Sequence, residues 1–262
     1  MKTRLLKWFS KVYIFIIFLF LYFPIFVIII YSFNASKTNA VWTGFSLHWY
    51  TLLFQDDNVL EALKNSLTIA LLSTGLSALI GTLGAVGLYK YKFRGKGSIN
   101  ALLYITIVIP EIIMGISLMS YFSILNINFG IFTLVLSHTT FCIPFVLMVV
   151  KARLAGFDHS IEDAAADLGA NKFVVFKTVT FPIILPGILS GAMLAFALSL
   201  DDVVINFFVS GPESTTLPIK IFSMLRFGLS PEINALCTFM LMVTFLVLII
   251  SQGFKTKKLN TI

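Results

Sequence analysis

The sequence predicts an all-α, polytopic membrane protein of six transmembrane helices, and three observations carry that prediction. Mean hydropathy is +0.96, with 58% hydrophobic and only 12% charged residues; a soluble core cannot absorb that much apolar surface, whereas hydrocarbon can. The apolar residues fall into six stretches of the length that a bilayer core about 30 Å thick demands, roughly 20 residues per crossing at about 1.5 Å rise. The basic residues sit in short clusters between those stretches, and almost all of them fall on one side.

The first stretch, Val12 to Ser32, follows Lys2, Arg4, Lys7 and Lys11. It is too long for the apolar part of a secretory signal and lacks a good small-residue cleavage site, so a retained helix is expected. The second, Leu67 to Tyr89, carries Gly75, Ser77, Gly81, Gly84 and Gly87, small side chains that let a neighbouring helix approach closely. The third, Asn100 to Phe122, holds Pro110 and Glu111, and the fourth, Ile131 to Val150, holds His138 and Cys142. The fifth runs from Ile183 to Val209 through Asp201 and Asp202, and the sixth from Ile233 to Gln252. Cys142 and Cys237 lie inside apolar runs and read as small buried hydrophobes. The whole chain, 1–262, reads as a single transmembrane domain.

If the first stretch starts inside, 15 of the 19 basic residues face the cytoplasm: Lys2 to Lys11, Lys90 to Lys96, Lys151 to Lys177 and Lys255 to Lys258. Only Lys37, Lys64, Lys220 and Arg226 lie outside. The positive-inside rule then puts both termini in the cytoplasm. The net charge of +7 is thereby explained by topology, without a nucleic-acid partner.

Three connections are longer than turns. The outer segment from Phe33 to Ser66 carries Trp42, Trp49, Tyr50 and Phe54, aromatic residues suited to a membrane interface or a partner's surface. The outer segment from Ser210 to Glu232 is punctuated by Gly211, Pro212, Pro218 and Pro231 around a short apolar piece, Leu217 to Leu225. The inner segment, 151–182, predicts a helix capped by Ser160 with Asp163 three residues on, favoured by three alanines and ended by Gly169. A second short helix is expected from Asn171, presenting Phe173 and Phe176 before Pro182.

That inner segment carries a recognisable pattern: Asp163-Ala164-Ala165, then Gly169, then Val179-Thr180-Phe181-Pro182. It resembles the cytoplasmic loop of the membrane subunits of binding-protein-dependent ATP-binding-cassette importers, in which Glu-Ala-Ala, Gly and Ile-x-Leu-Pro stand at these spacings. Asp163, preceded by Glu162, replaces the family's Glu, and a short carboxylate still suits a helix N-terminus. The resemblance implies a type I importer permease fold of the MetI-like kind and a coupling helix built on Glu162, Asp163, Ala164, Ala165, Gly169 and Pro182. This helix sits in a groove of an ATPase subunit.

The chain has no Gly-x4-Gly-Lys-Ser/Thr phosphate loop, so it is not expected to be an enzyme. ATP and magnesium belong on the partner ATPase, and no cofactor is expected on this chain.

Carboxylates in hydrocarbon cost about 2.5 to 3.5 kcal/mol each near a helix centre. Glu111, Asp201 and Asp202 therefore need a reason, and the apolar spans hold no Lys or Arg to neutralise them. Straight-helix rise puts Glu111 near mid-membrane and the aspartates close to the outer mouth, two levels roughly 11 Å apart that suit a cation with well-spaced charges, such as a linear polyamine. Tyr104, Tyr121, Phe207 and Phe208 are aromatic neighbours that would add cation–π contacts. His138 reads as a hydrogen-bonded interhelical contact, since one histidine makes no proton relay.

Further segments, Pro110 to Leu118, Leu200 to Pro218, Ser230 to Ala235 and Phe45 to Tyr50, are similar to the polyamine-importing branch of the same family. That branch implies a complex in the bacterial inner membrane with a homologous second permease, two copies of an ATPase and an external polyamine-binding protein. The alternatives are a permease of the same class for another solute, or an ATP-independent cation channel or secondary transporter, which would leave the cytoplasmic motif unexplained. Intramembrane proteolysis is disfavoured, because adjacent Asp201 and Asp202 would point about 100° apart on a helix.

Overall fold

A computed structural model describes the backbone of residues 2–158, 160–226, 228 and 230–259, with side chains outside 2–7, 248 and 250–259. The side chains of Lys2, Arg4, Lys7, Lys255, Lys257 and Lys258, used in the orientation argument, lie outside the described residues. Helix dominates: α1 (Lys2–Tyr31), α2 (His48–Leu53), α3 (Asp57–Lys90), α4 (Lys96–Val108), α5 (Glu111–Ile124), α6 (Ile131–Ala155), α7 (Ser160–Asp167), α8 (Lys172–Val175), α9 (Phe181–Asp201), α10 (Val204–Val209), α11 (Leu217–Leu225) and α12 (Pro231–Leu259). Among the described residues the only β pairing noted outside a strand is the bridge of Asn34 with Phe45.

Four helices are long and apolar enough to cross a bilayer: Trp8–Tyr31 of α1, α3, α6, and the continuous run Lys172–Asp201. The third expected stretch is not one helix. It is broken between α4 and α5, which are bent by 108° and make a fifth span only if taken together. Ile109 is extended (φ −61°, ψ 131°), and Pro110 follows at φ −55°, ψ 133°. A residue before proline is pushed out of the helical region, and the proline ring removes the amide that the next turn would use. The apolar part of α12, Pro231–Val247, is shorter than a full crossing among the described residues.

The fifth stretch also differs from expectation at both ends. Pro182 does not separate two helices: α8 runs through a π turn, Phe176–Thr180, directly into α9. The wider turn ends two residues before Pro182, which has no amide to donate and where a regular ladder would lose a bond. At its outer end α9 stops at Asp201, Asp202 is extended at φ −64°, ψ 127°, and the chain restarts as α10.

The chain divides into two compact units, residues 1–60 with 221–245 and residues 61–220 with 246–262. In the first, the loop after α1 is tied by Asn34. Its Oδ1 accepts from the amides of Ser36 and Thr43, its Nδ2 donates to the Val41 carbonyl at 2.9 Å, and its carbonyl accepts from Trp49 Nε1 at 2.8 Å. Trp49 is thus a buried fastener, while Trp42 and Phe54 remain exposed.

In the second unit α6 is the central helix, its apolar window 67% buried where that of α1 is 0%. Val146 of α6 nests between two glycines. A Cβ on Gly81 of α3 would lie 2.9 Å from Val146 Cβ, and one on Gly191 of α9 would lie 3.2 Å from Val146 Cα. Of the small-residue stripe of α3, Gly81 and Gly84 meet α6 at Val146 and Leu147 as expected, while a Cβ on Gly75 or Gly87 would meet nothing within 4 Å.

Candidate functional site

Both helix breaks carry carboxylates. Glu111 is the first residue of α5, exposed where the chain leaves Pro110; Asp201 is the last residue of α9 and is also exposed. The straight-helix rise from which two separate levels were expected does not apply here, because each stretch is broken at its carboxylate. The residues between the breaks are held together by α10, whose Phe208 ring lies against Gly115 of α5, where a Cβ would come within 2.7 Å of it. The same end of α10 is tied to α6 by Thr133 Oγ1, which donates to the Val209 carbonyl at 3.2 Å.

Asp202 behaves unlike its neighbour. It is 7% exposed, and its carboxylate accepts from the amides of Ile205 (3.3 Å) and Asn206 (3.0 Å), capping α10. Its Oδ2 is also 3.4 Å from His138 Nε2. His138, 1% exposed, meets Asn206 Oδ1 at 2.9 Å through Nε2 and Ser199 Oγ at 2.6 Å through Nδ1. Ser199 Oγ in turn lies 3.1 Å from Ser73 Oγ of α3. His138 is therefore the interhelical contact expected of it, but its partners were not anticipated. Ser199 and Asn206 were visible in the sequence only as polar residues inside an apolar run, which is the signal for buried interhelical bonding.

Of the aromatic neighbours, Tyr104, Tyr121 and Phe207 are exposed, and Phe208 is the one in the contact between α5 and α10. Cys142 is fully buried, its Sγ 3.5 Å from the Ala195 carbonyl, and is packing material. No group of His, Cys, Asp and Glu able to hold a metal occurs among the described residues.

Residues 151–182 form the compact helical protrusion that was expected, with one correction to its start. Ser160 is already inside α7, and the acceptor for its amide is the Asp158 carboxylate at 3.0 Å. The end follows expectation in detail. Gly169 takes φ 87°, its amide reaches the Ala166 carbonyl (2.9 Å), and the Ala170 amide reaches the Ala165 carbonyl (3.2 Å), the paired bonds of a Schellman ending. Asn171 Oδ1 then accepts from the Val174 amide at 2.9 Å and starts α8.

The protrusion is anchored by Glu162, which pairs with Lys90 at the end of α3 (2.7 Å) and accepts from Thr180 Oγ1 of the π turn. Asp163 and Ala164 are exposed, as are Leu168 (90%) and Phe173 (72%). Glu162 is thus a strut of the protrusion together with buried Thr180, whereas Asp163, Ala164, Gly169, Phe181 and Pro182 are exposed and Ala165 and Val179 half-buried. Lys90 and Thr180 were expected only as an inner basic residue and a motif position; their pairing with Glu162 was not foreseen, since nothing local links them to it.

Residues 73–260 match the family described as "Binding-protein-dependent transport system inner membrane component". The "Spermidine/putrescine transport system permease protein PotC" of Escherichia coli (strain K12) is 44% identical over 236 residues, 90% of this chain and 89% of that protein. The "Putrescine transport system permease protein PotI" of the same organism is 46% identical over 231 residues, 86% of this chain and 82% of that one. Among solved structures, a bacterial ABC transporter involved in the import of the acidic polysaccharide alginate superposes with a TM-score of 0.79 at 16% identity, covering 98% of this chain and 96% of that one. An inward-facing MetNI methionine ABC transporter gives 0.66 at 17% identity, covering 80% and 97%. At such identities these two likenesses concern the fold alone.

Proposed function

Because the chain belongs to the family of binding-protein-dependent transport system inner membrane components, we propose that it is the permease subunit of an ATP-driven polyamine importer, a single transmembrane domain of six crossings. The observation that carries this reading is the chain's relation, at 44% and 46% identity over most of its length, to permeases of both spermidine/putrescine and putrescine systems. The site's chemistry agrees with it. Glu111 and Asp201 are exposed carboxylates at the two breaks, and the ammonium groups of a polycation can pair with them directly.

The chain is not an enzyme in this reading; ATP is hydrolysed, with magnesium, by a pair of partner ATPase subunits. The protrusion built from α7, α8 and the π turn is the element that meets the ATPase. Its Schellman ending and the Glu162 strut make it stiff enough to pass on a displacement. ATP-driven closure draws the protrusions of this chain and of a homologous second permease together and opens the bundle outward; hydrolysis resets it inward. The outer segments, with exposed Trp42 and Phe45, face the external polyamine-binding protein. Both termini lie in the cytoplasm, and an inside-negative potential aids inward movement by about 2.3 kcal/mol per charge per 100 mV.

Two measurements test the reading. ATPase activity of the purified complex should rise when the binding protein is loaded with spermidine or putrescine, and absence of stimulation by either would remove the substrate assignment. Glu111→Gln and Asp201→Asn should each raise the half-saturating spermidine concentration about tenfold, the loss of about 1.4 kcal/mol of charge pairing. Unchanged values in both would take these residues off the path.

A further inference from the structure

The three acidic residues of the site are not equivalent. Asp201 and Glu111 are exposed, whereas Asp202 is buried with both oxygens occupied by donors: the Ile205 amide on Oδ1, and the Asn206 amide and His138 Nε2 on Oδ2. We propose that His138 and Asp202 form a positioning pair that pins the break between α9 and α10, so that Asp202 is withdrawn from the cation and Asp201 is held toward it. This inference rests on the polyamine reading for its readout, but its geometry does not.

The bonding pattern is self-consistent. Asn206 Nδ2 donates to the Asp202 carbonyl at 2.5 Å, which turns Asn206 Oδ1 toward the imidazole. His138 Nε2 therefore faces two acceptors, Asn206 Oδ1 and Asp202 Oδ2, and must carry a proton. Nδ1 is satisfied by the Ser199 hydroxyl, and Ser199 by Ser73, whose own Oγ reaches the Ala70 carbonyl at 3.3 Å.

One imidazole thus ties α3, α6, α9 and α10 around a break that has no proline to enforce it. A buried carboxylate stripped of these donors would be costly, so the network fixes the extended backbone of Asp202. Adjacent residues flanking an extended joint face opposite ways, and burying Asp202 is what leaves Asp201 outward. The imidazole itself is 1% exposed and cannot reach a passing ammonium group.

The test uses the whole complex, with permeases, ATPase and binding protein, in proteoliposomes. It reads half-saturating spermidine and maximal rate separately. Asp202→Asn keeps one acceptor oxygen, which can serve the Asn206 amide and Nε2, and gives up only the longer contact to the Ile205 amide (3.3 Å); half-saturation should therefore stay within about twofold of the parent, against about tenfold for Asp201→Asn. His138→Leu should raise half-saturation about threefold or more, because the joint loosens and Asp201 moves. His138→Gln, whose amide can occupy the Nε2 position, should restore it, while His138→Asn should not. A merely structural role would lower the assembled amount and the maximal rate at unchanged half-saturation. An Asp202→Asn variant as impaired in half-saturation as Asp201→Asn would make Asp202 a direct ligand and overturn the proposal, as would an unmoved half-saturation in His138→Leu.

If the parent complex takes up no polyamine at all, the polyamine reading fails, and the pairing is then judged by thermal unfolding of the purified complex. His138→Leu with Asp202→Ala should then be no less stable than the worse single variant. Additive losses would dissolve the pair.

Discussion

Two places in the second unit interrupt an apolar run beside a carboxylate, and they do so by opposite means. At Ile109 and Pro110 the interruption is written into the chain: the ring of Pro110 and the extended residue before it end α4 whatever surrounds them. At Asp202 no proline forces the chain out of the helix; the extended residue is kept there by the amides of Ile205 and Asn206, three and four residues on, and by an imidazole from α6. A break made by covalent geometry is insensitive to its neighbours. A break made by hydrogen bonds in a low-dielectric interior stands or falls with each partner, which gives a transporter a joint that packing can set.

The comparison is sharpened most by removing the carboxylates that the two breaks present. If both deliver charge to one cation path, Glu111→Gln combined with Asp201→Asn should raise half-saturating spermidine about 100-fold, near 2.7 kcal/mol, against about tenfold for each alone. A double variant no worse than its worse parent would put one of the two outside the path.

Next in size are changes that crowd the elements between the breaks. A Cβ on Gly211, just beyond α10, would overlap the carbonyl of Phe129, which is backbone and cannot swing aside. Gly211→Ala should therefore destabilise by about 2 kcal/mol in thermal unfolding of the purified protein. Gly115→Ala meets only the rim of the Phe208 ring, at 2.7 Å, and ring rotation should hold its cost to about 1 kcal/mol. Equal losses at the two sites would mean that Phe208 is as immovable as backbone.

Smaller again is the loss of one link in the network of the second break. Ser199→Ala leaves His138 Nδ1 without its partner at 2.6 Å and should cost about 1 to 2 kcal/mol, read as a lowered unfolding midpoint. No change at this position would show that Ser199 is incidental to the joint.

The same contrast explains what could be read from the sequence. Features whose cause lies within a few residues were legible: the apolar stretches, the Schellman glycine at Gly169, the start of α8 at Asn171, and the close approach at Gly81. The cytoplasmic motif was legible for the same reason. The bend at Pro110 had its cause in plain view, yet a continuous span was expected, since hydropathy is blind to direction. The tie of His138 to the break at Asp202, the division of labour between Asp201 and Asp202 that follows from it, and the strut from Glu162 depend on partners 18 to 126 residues away in the chain. Only the folded arrangement of α3, α6 and α9 reveals them.

The mildest perturbation addresses the first break directly. Pro110→Ala restores an amide, and in an isolated helix the exchange would favour helix by about 3 kcal/mol. The folded protein cannot collect that gain: running α4 straight into α5 would undo the 108° bend and lift Gly115 off Phe208. What remains is the extra freedom of the unfolded chain, so stability should fall by about 0.5 kcal/mol, with half-saturating spermidine within about twofold of the parent. A rise in stability or helix content, or a tenfold loss of apparent affinity, would mean that the proline alone maintains the bend. The packing of α5 on α10 would then be its consequence, and the two breaks would differ even more than their bonding implies.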